Sequence, residues 1–297
     1  MSTTTLPASR PAPPWRPEYE RELAPLSHVQ PARALPWTTR WRAHPAARQA
    51  LILLVLAAVW EAAARWQQNE LLLPPFTATL RALAEGLASG ELFVKTAVSL
   101  STLLEGYALG VLAAFGFTAL ATASRWGRDL LGTLTAMFNP LPAIALLPLA
   151  LLWFGLGKAS LLFVLVHAVL WAVALNTLAG FQAVPETLRM AGRNYGLKGV
   201  PYVVQILLPA ALPSVLSGLK IGWAFAWRTL IAAELVFGAT SGQGGLGWYI
   251  YQNRNELYTD RVFAGLMLVI LIGLAVEGLV FQTLERLTVR RWGQQRG

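Results

Sequence analysis

Pro185–Glu186–Thr187–Leu188–Arg189–Met190–Ala191–Gly192–Arg193–Asn194–Tyr195–Gly196 is a polar, cationic helical pattern wedged between two long apolar runs. Pro185 suits the first helical position, where its missing N–H costs nothing, and Gly196 suits the left-handed residue after the last turn. Gly199 and Pro201 restart the chain, and a second run, Tyr202 to Leu208, is expected to end at Pro209, where a new span begins. Leu188, Ala191 and Tyr195 share one face of the short helix, with Arg189 and Arg193 around from it. A helix, a glycine corner and a second helix between apolar segments form a docking element, held by something outside the membrane.

The flanking segments decide the class. The chain has 297 residues, of which 55% are hydrophobic and only 13% charged, with 12 tryptophans; its mean hydropathy is +0.49. That composition excludes an ordinary soluble domain. A bilayer core needs about 20 apolar residues per helix. Six stretches qualify: Ala47–Trp66, Val94–Thr122, Leu130–Phe154, Ser160–Ala183, Pro213–Phe237 and Val262–Leu284. None shows the alternation of a barrel strand, so an all-α membrane bundle of about six helices is predicted.

Short loops rich in Lys and Arg stay in the cytoplasm. With the amino terminus inside, the cytoplasmic segments hold Arg125, Arg128, Arg189, Arg193, Lys198 and the basic residues of both termini, leaving few on the other side. Both termini and the 184–209 loop are therefore expected in the cytoplasm. The net charge of +9 is this topology signal plus affinity for anionic head groups, a better account than nucleic-acid binding.

Residues 1–45 form a tail with half of the chain's 18 prolines and no apolar run before Leu51, which argues against a cleaved signal peptide. Trp37 and Trp41, one turn apart and near Arg40, Arg42 and Arg48, fit either an interfacial helix or an aromatic belt at the start of the first span. A membrane domain is expected over 46–290 and a second tail over 291–297. Cysteine is absent, and the three histidines are scattered, so no metal site is expected. His167, alone in the fourth span, is expected to be satisfied by an interhelical hydrogen bond.

Gly242–Gln243–Gly244–Gly245–Leu246–Gly247 matches G-x-G-x-x-G, but without a preceding strand or βαβ unit it reads as a turn before Trp248–Tyr249. No G-x-x-x-x-G-K-[ST] sequence occurs; ATP, if used, is hydrolysed by another polypeptide.

The spacing of the polar loop resembles the cytoplasmic loop of ATP-binding-cassette importer permeases, Glu-Ala-Ala, three residues, Gly, nine residues, Ile-x-Leu-Pro. Ala191, Gly196 and Ile206–Leu207–Leu208–Pro209 match it, whereas Met190 stands for the glutamate and Gly192 for the second alanine. Leu212–Pro213, Ser217–Gly218–Leu219–Lys220, Ala226–Trp227, Ala232–Ala233–Glu234–Leu235 and Gly245–Leu246–Gly247–Trp248–Tyr249–Ile250 resemble the branch that imports nitrate, taurine, alkyl sulfonates and bicarbonate. The resemblance implies a transport subunit and not an enzyme, with Glu186, Leu188, Arg189, Ala191, Gly192, Arg193, Tyr195 and Gly196 in contact with ATPase subunits. It further implies a second permease copy, two cytoplasmic ATPase subunits that use ATP and Mg, an extracytoplasmic solute-binding protein and no cofactor on this chain.

Glu61, Glu105, Lys220, Arg228, Glu234 and Glu277 fall within predicted spans, where each needs a partner or water. Lys220 is expected to snorkel, and Glu61 and Glu277 to lie near interfaces. Arg228 and Glu105, taken as matched in depth, are expected to pair across the second and fifth spans; the alternative has Arg228 facing an anion pathway. Asn139 and Asn176, with Pro140, Pro142 and Pro148, predict irregular helix. A secondary carrier would show internal repeats with paired interrupted helices, and a serine protease would show G-x-S-x-G; neither is found.

Overall fold

The computed structural model describes residues 45–237 and 244–290. The Trp37–Trp41 segment, both tails and Gly242–Gln243 of the glycine run lie outside the described residues. Contacts divide the chain between Val55 and Leu56. Of the first unit only the opening turns of α1 (Pro45–Gln67) are described, with Leu51, Ile52, Leu53 and Leu54 exposed.

The second unit continues α1 and adds α2 (Phe76–Ala88), α3 (Glu91–Ala123), α4 (Arg125–Phe138), α5 (Leu147–Phe154), α6 (Lys158–Ala183) and α7 (Glu186–Asn194). Then follow α8 (Gly199–Val236), α9 (Leu246–Asn255) and α10 (Thr259–Val289). Among the described residues α1, α3, α6, α8 and α10 are long and apolar enough to cross a membrane, and α4 with the stretch Ala143–Phe154 makes a sixth crossing only as a bent pair.

That bend corrects the expected continuous span Leu130–Phe154: the two pieces meet at 88°. Pro140 and Pro142 have no N–H to donate, so the hydrogen-bond ladder of α4 is not continued past Asn139, which is still helical at φ −63°, ψ −35°. Pro142 itself is extended at φ −59°, ψ 123°, and the chain re-enters through the 3₁₀ turn Ala143–Leu146. Pro148 falls in the first turn of α5, where it is tolerated. The expected irregularity is thus present at two of the three prolines.

A second correction concerns Pro209. Helix α8 runs through it and through Pro213 without stopping, because a π-helical turn at Val203–Leu207 precedes Pro209 and re-spaces the carbonyl ladder. The glycine corner therefore leads straight into the span.

Helix α6 is the buried centre of the bundle, packed by α3 on one side and α8 on the other. The approach is close because small residues face it: a Cβ on Gly106 or Gly110 would overlap Leu165 or Val169, and one on Gly218 would overlap Asn176. Association in lipid depends on such contact, since burial of apolar surface gains nothing there.

Candidate functional site

The corner at α7 is built by its own backbone. Pro185 stands one residue before the helix, not at its first position: its carbonyl accepts the N–H groups of Leu188 (3.1 Å) and Arg189 (3.2 Å). At the other end Leu197 N–H donates to Gly192 O (3.1 Å) and Gly196 N–H to Arg193 O (2.9 Å), the paired bonds of a Schellman motif. Gly196 has φ +75°, as its position predicts.

Gly192 is the one buried residue of α7. A Cβ there would sit 2.9 Å from Ile206 Cγ1 and 3.0 Å from Tyr202 Cε2, so the departure from the alanine of the resembled pattern lets α7 lie closer on the start of α8. Leu188, Met190, Ala191 and Tyr195 are exposed, Tyr195 at 86%. Arg189 is not free for an outside partner: its Nε donates to Val184 O (3.0 Å) and its Nη2 to Phe181 O (2.6 Å). The guanidinium thereby closes the unpaired carbonyls at the end of α6 and ties α7 to it. Arg193 and Glu186 approach to 3.5 Å on the exposed side, a contact of little energetic weight.

The in-span charges pair otherwise than the sequence predicts. Glu105 binds Lys158, not Arg228: Nζ and Oε1 are 2.6 Å apart. The cause is length. Helix α3 has 33 residues, on the order of 50 Å, so Glu105 lies about 27 Å from Ala123 and near the edge of a roughly 30 Å core, level with the first residue of α6. Lys220 pairs with Glu277 of α10. Glu61 holds Arg65 (2.6 Å) and accepts the Thr77 N–H (3.0 Å).

Glu234 is 4% exposed and accepts the Ser99 hydroxyl (2.8 Å) and the Gly247 N–H (2.8 Å). Ser99 in turn accepts the Leu246 N–H at 2.8 Å. Helices α3, α8 and α9 are thus joined at one buried carboxylate. Gly245 has to be glycine, since a Cβ would lie 2.2 Å from both Glu234 Oε1 and Ser99 Oγ.

Arg228 remains. Its Nε donates to its own Ala224 carbonyl (3.0 Å), and its guanidinium lies over Phe225, 5.2 Å from the ring centroid. It faces a cavity of about 340 Å³ walled by α6, α8 and the break after α4. His167 and Trp171 line the same cavity. Both ring nitrogens of His167 and Nε1 of Trp171 are buried without a hydrogen-bond partner among the described residues, which corrects the expectation of a satisfied histidine. Trp171 stacks on Phe138 at 5.6 Å and 12°.

Residues 106–294 match the family described as the inner membrane component of binding-protein-dependent transport systems. The chain belongs to this family. It is 32% identical over 237 residues to the aliphatic sulfonates transport permease assigned in Escherichia coli K12, covering 79% of this chain and 88% of that protein. It is 31% identical to the taurine transport system permease of the same organism over 86% of this chain and 93% of that one. The nitrate import permease of Synechocystis is 28% identical over 61% and 65%. The protein is thus a transport permease and not an enzyme. Sequence reading did not find Ser99, His167 and Trp171 as site residues: a lone serine and a tryptophan in apolar helices carry no periodic signal, and 135 residues separate Ser99 from Glu234.

Proposed function

We propose that this permease is the membrane subunit of an ATP-driven importer of a small anion, working as a pair of copies. In this reading both termini and α7 face the cytoplasm, two ATPase subunits seat on α7, and a solute-binding protein delivers the substrate from the opposite side. The names of the relatives, for sulfonates, taurine and nitrate, support the anion, and the cation Arg228 at the cavity supports it independently.

The observation that carries the mechanism is the span of α6. At one end its carbonyls are held by Arg189 of α7, and further along it carries His167 and Trp171 into the cavity. Displacement of α7 when the ATPases close is transmitted along one buried helix to the cavity wall, which gives two states that ATP and substrate bind differentially.

Replacing exposed Leu188 and Tyr195 together by Asp is expected to abolish ATP-driven uptake in proteoliposomes holding the complete system, with the permease still inserted. Full uptake by the double variant removes the docking assignment. Because the chain has no cysteine, single cysteines at Thr187 and Asn255, both exposed, test orientation: the impermeant thiol reagent is expected to label only position 255 in intact cells. Labelling at 187 ends the reading.

A further inference from the structure

We propose that a cleft between α8 and α10 binds the head group of a phospholipid carrying a primary ammonium, of the phosphatidylethanolamine type, with its acyl chains lying outside along α10. The cleft is separate from the Arg228 cavity, and its ligand is independent of the solute carried.

The cleft lies where both helices depart from regular geometry. Helix α10 is π-helical over Val276–Phe281 and again over Arg286–Arg290, a widening of the turn that is frequent at functional sites. Pro213 lies inside α8 on the opposite wall. Between the two helices about 100 Å³ is left, lined by Ser217, Lys220, Phe281 and Glu285 among others. This end of α8 is on the side of α7, since Val215 packs with Phe181 and Val184 at the end of α6.

The polar groups have both signs. An ammonium has three donors, so pairing with Glu277 leaves Lys220 able to meet phosphate oxygens as well. Protein does not close off that pair: the two side chains are 46% and 41% exposed, inside spans where charge needs compensation. Ser217 donates its hydroxyl hydrogen to Pro213 O (2.9 Å), so toward a ligand its oxygen accepts, and a carboxylate such as Glu285 has several acceptor positions. Two carboxylates thus accompany one lysine, which suits a head group with a cation beside its phosphate over a phosphate alone. A primary ammonium can donate to Glu285 and Ser217; a quaternary one cannot.

The size and surroundings favour a lipid over a free solute. Sites that engulf a whole small molecule begin at about 300 Å³, so only the polar end of a ligand enters this cleft and the rest lies outside. Val280 and Leu284, each one residue before a cleft residue, are exposed, as is Leu287. Only 11% of the apolar window of α10 is buried, which leaves a stripe for acyl chains beside a polar pocket between spans, the usual setting for a lipid head group.

Native mass spectrometry of the delipidated full-length permease, titrated with phosphatidylethanolamine, its N-methylated series up to phosphatidylcholine, and phosphatidylglycerol of the same chains, tests the site. Phosphatidylethanolamine is expected to bind at least fivefold tighter than phosphatidylcholine, and phosphatidylglycerol weaker than phosphatidylethanolamine. Glu285→Gln is expected to remove the preference for the primary ammonium, and Ser217→Ala to halve it. Lys220→Gln combined with Glu277→Gln, which removes the pair together, is expected to weaken both zwitterionic lipids at least fivefold. Equal binding of phosphatidylethanolamine and phosphatidylcholine overturns the inference, as does tightest binding of phosphatidylglycerol. So does an unchanged preference in folded Glu285→Gln, or in Ser217→Ala if Glu285→Gln does not fold. Displacement of the lipid by an equal concentration of O-phosphoethanolamine would make this a site for a free solute and overturn the lipid assignment. A single cysteine at Leu284, in a chain that has none, is expected to give no disulfide between copies in the membrane; a crosslink would put a second copy on the stripe and overturn it too.

Discussion

Replacing Glu234 by Leu tests whether this carboxylate holds the bundle together or serves the pathway. In the native protein it accepts two hydrogen bonds, from the Ser99 hydroxyl and the Gly247 N–H, each at 2.8 Å. A hydrogen bond to a charged group contributes about 1.5–3 kcal/mol, and Leu strands both donors in a site that is 4% exposed. The expected loss is about 3–6 kcal/mol, offset in part because the charge itself no longer has to be desolvated. At roughly 2 °C per kcal/mol for a large domain, the apparent melting midpoint of the detergent-solubilised permease should fall by roughly 6–12 °C. Glu234→Gln keeps the shape and one acceptor oxygen, which can take both donors, so it should lose less than half as much and retain uptake. Thermal-shift measurement of both variants, with uptake measured on the folded fraction, is the assay. A midpoint unchanged in Glu234→Leu refutes the structural role. So does loss of uptake in Glu234→Gln at an unchanged midpoint, which would make the carboxylate a pathway group.

Two further outcomes follow from the pairings. Arg189→Ala removes the bonds to Phe181 and Val184 carbonyls and, with about 3–6 kcal/mol of charge-assisted hydrogen bonding at stake, should cut solute moved per ATP at least tenfold while the ATPase rate persists; unchanged stoichiometry in proteoliposomes refutes the tie. Glu105→Ala breaks only the pair with Lys158, whose side chains are about half exposed, so expression and uptake should stay within twofold; a loss like that of Arg228→Gln would revive an Arg228–Glu105 pair.

What was legible in the sequence depended on local rules. Gly196 is the left-handed residue because a short helix must close its last carbonyls within a few positions, and the spans are visible because bilayer thickness sets their length. Pro140 and Pro142 announce a break, but not its 88° angle, which depends on what packs beside it. Gly192 and Gly245 read as departures or turn residues until their neighbours, Ile206 and Glu234, are in place. Depth misled the reading of Glu105, since matching positions by residue count assumes helices as long as the membrane is thick, and α3 is longer.

Among the in-span charges one residue stands apart. Glu61 has Arg65 and Thr77, Glu105 has Lys158, Lys220 has Glu277, and Glu234 has Ser99 and a backbone N–H. Each is compensated within the chain, as the cost of charge in hydrocarbon requires. Arg228 has among the described residues only its own helix carbonyl and a phenyl face. A cation in a span, with so little compensation from its own chain, is the group that the small anion of the proposed importer would pair with.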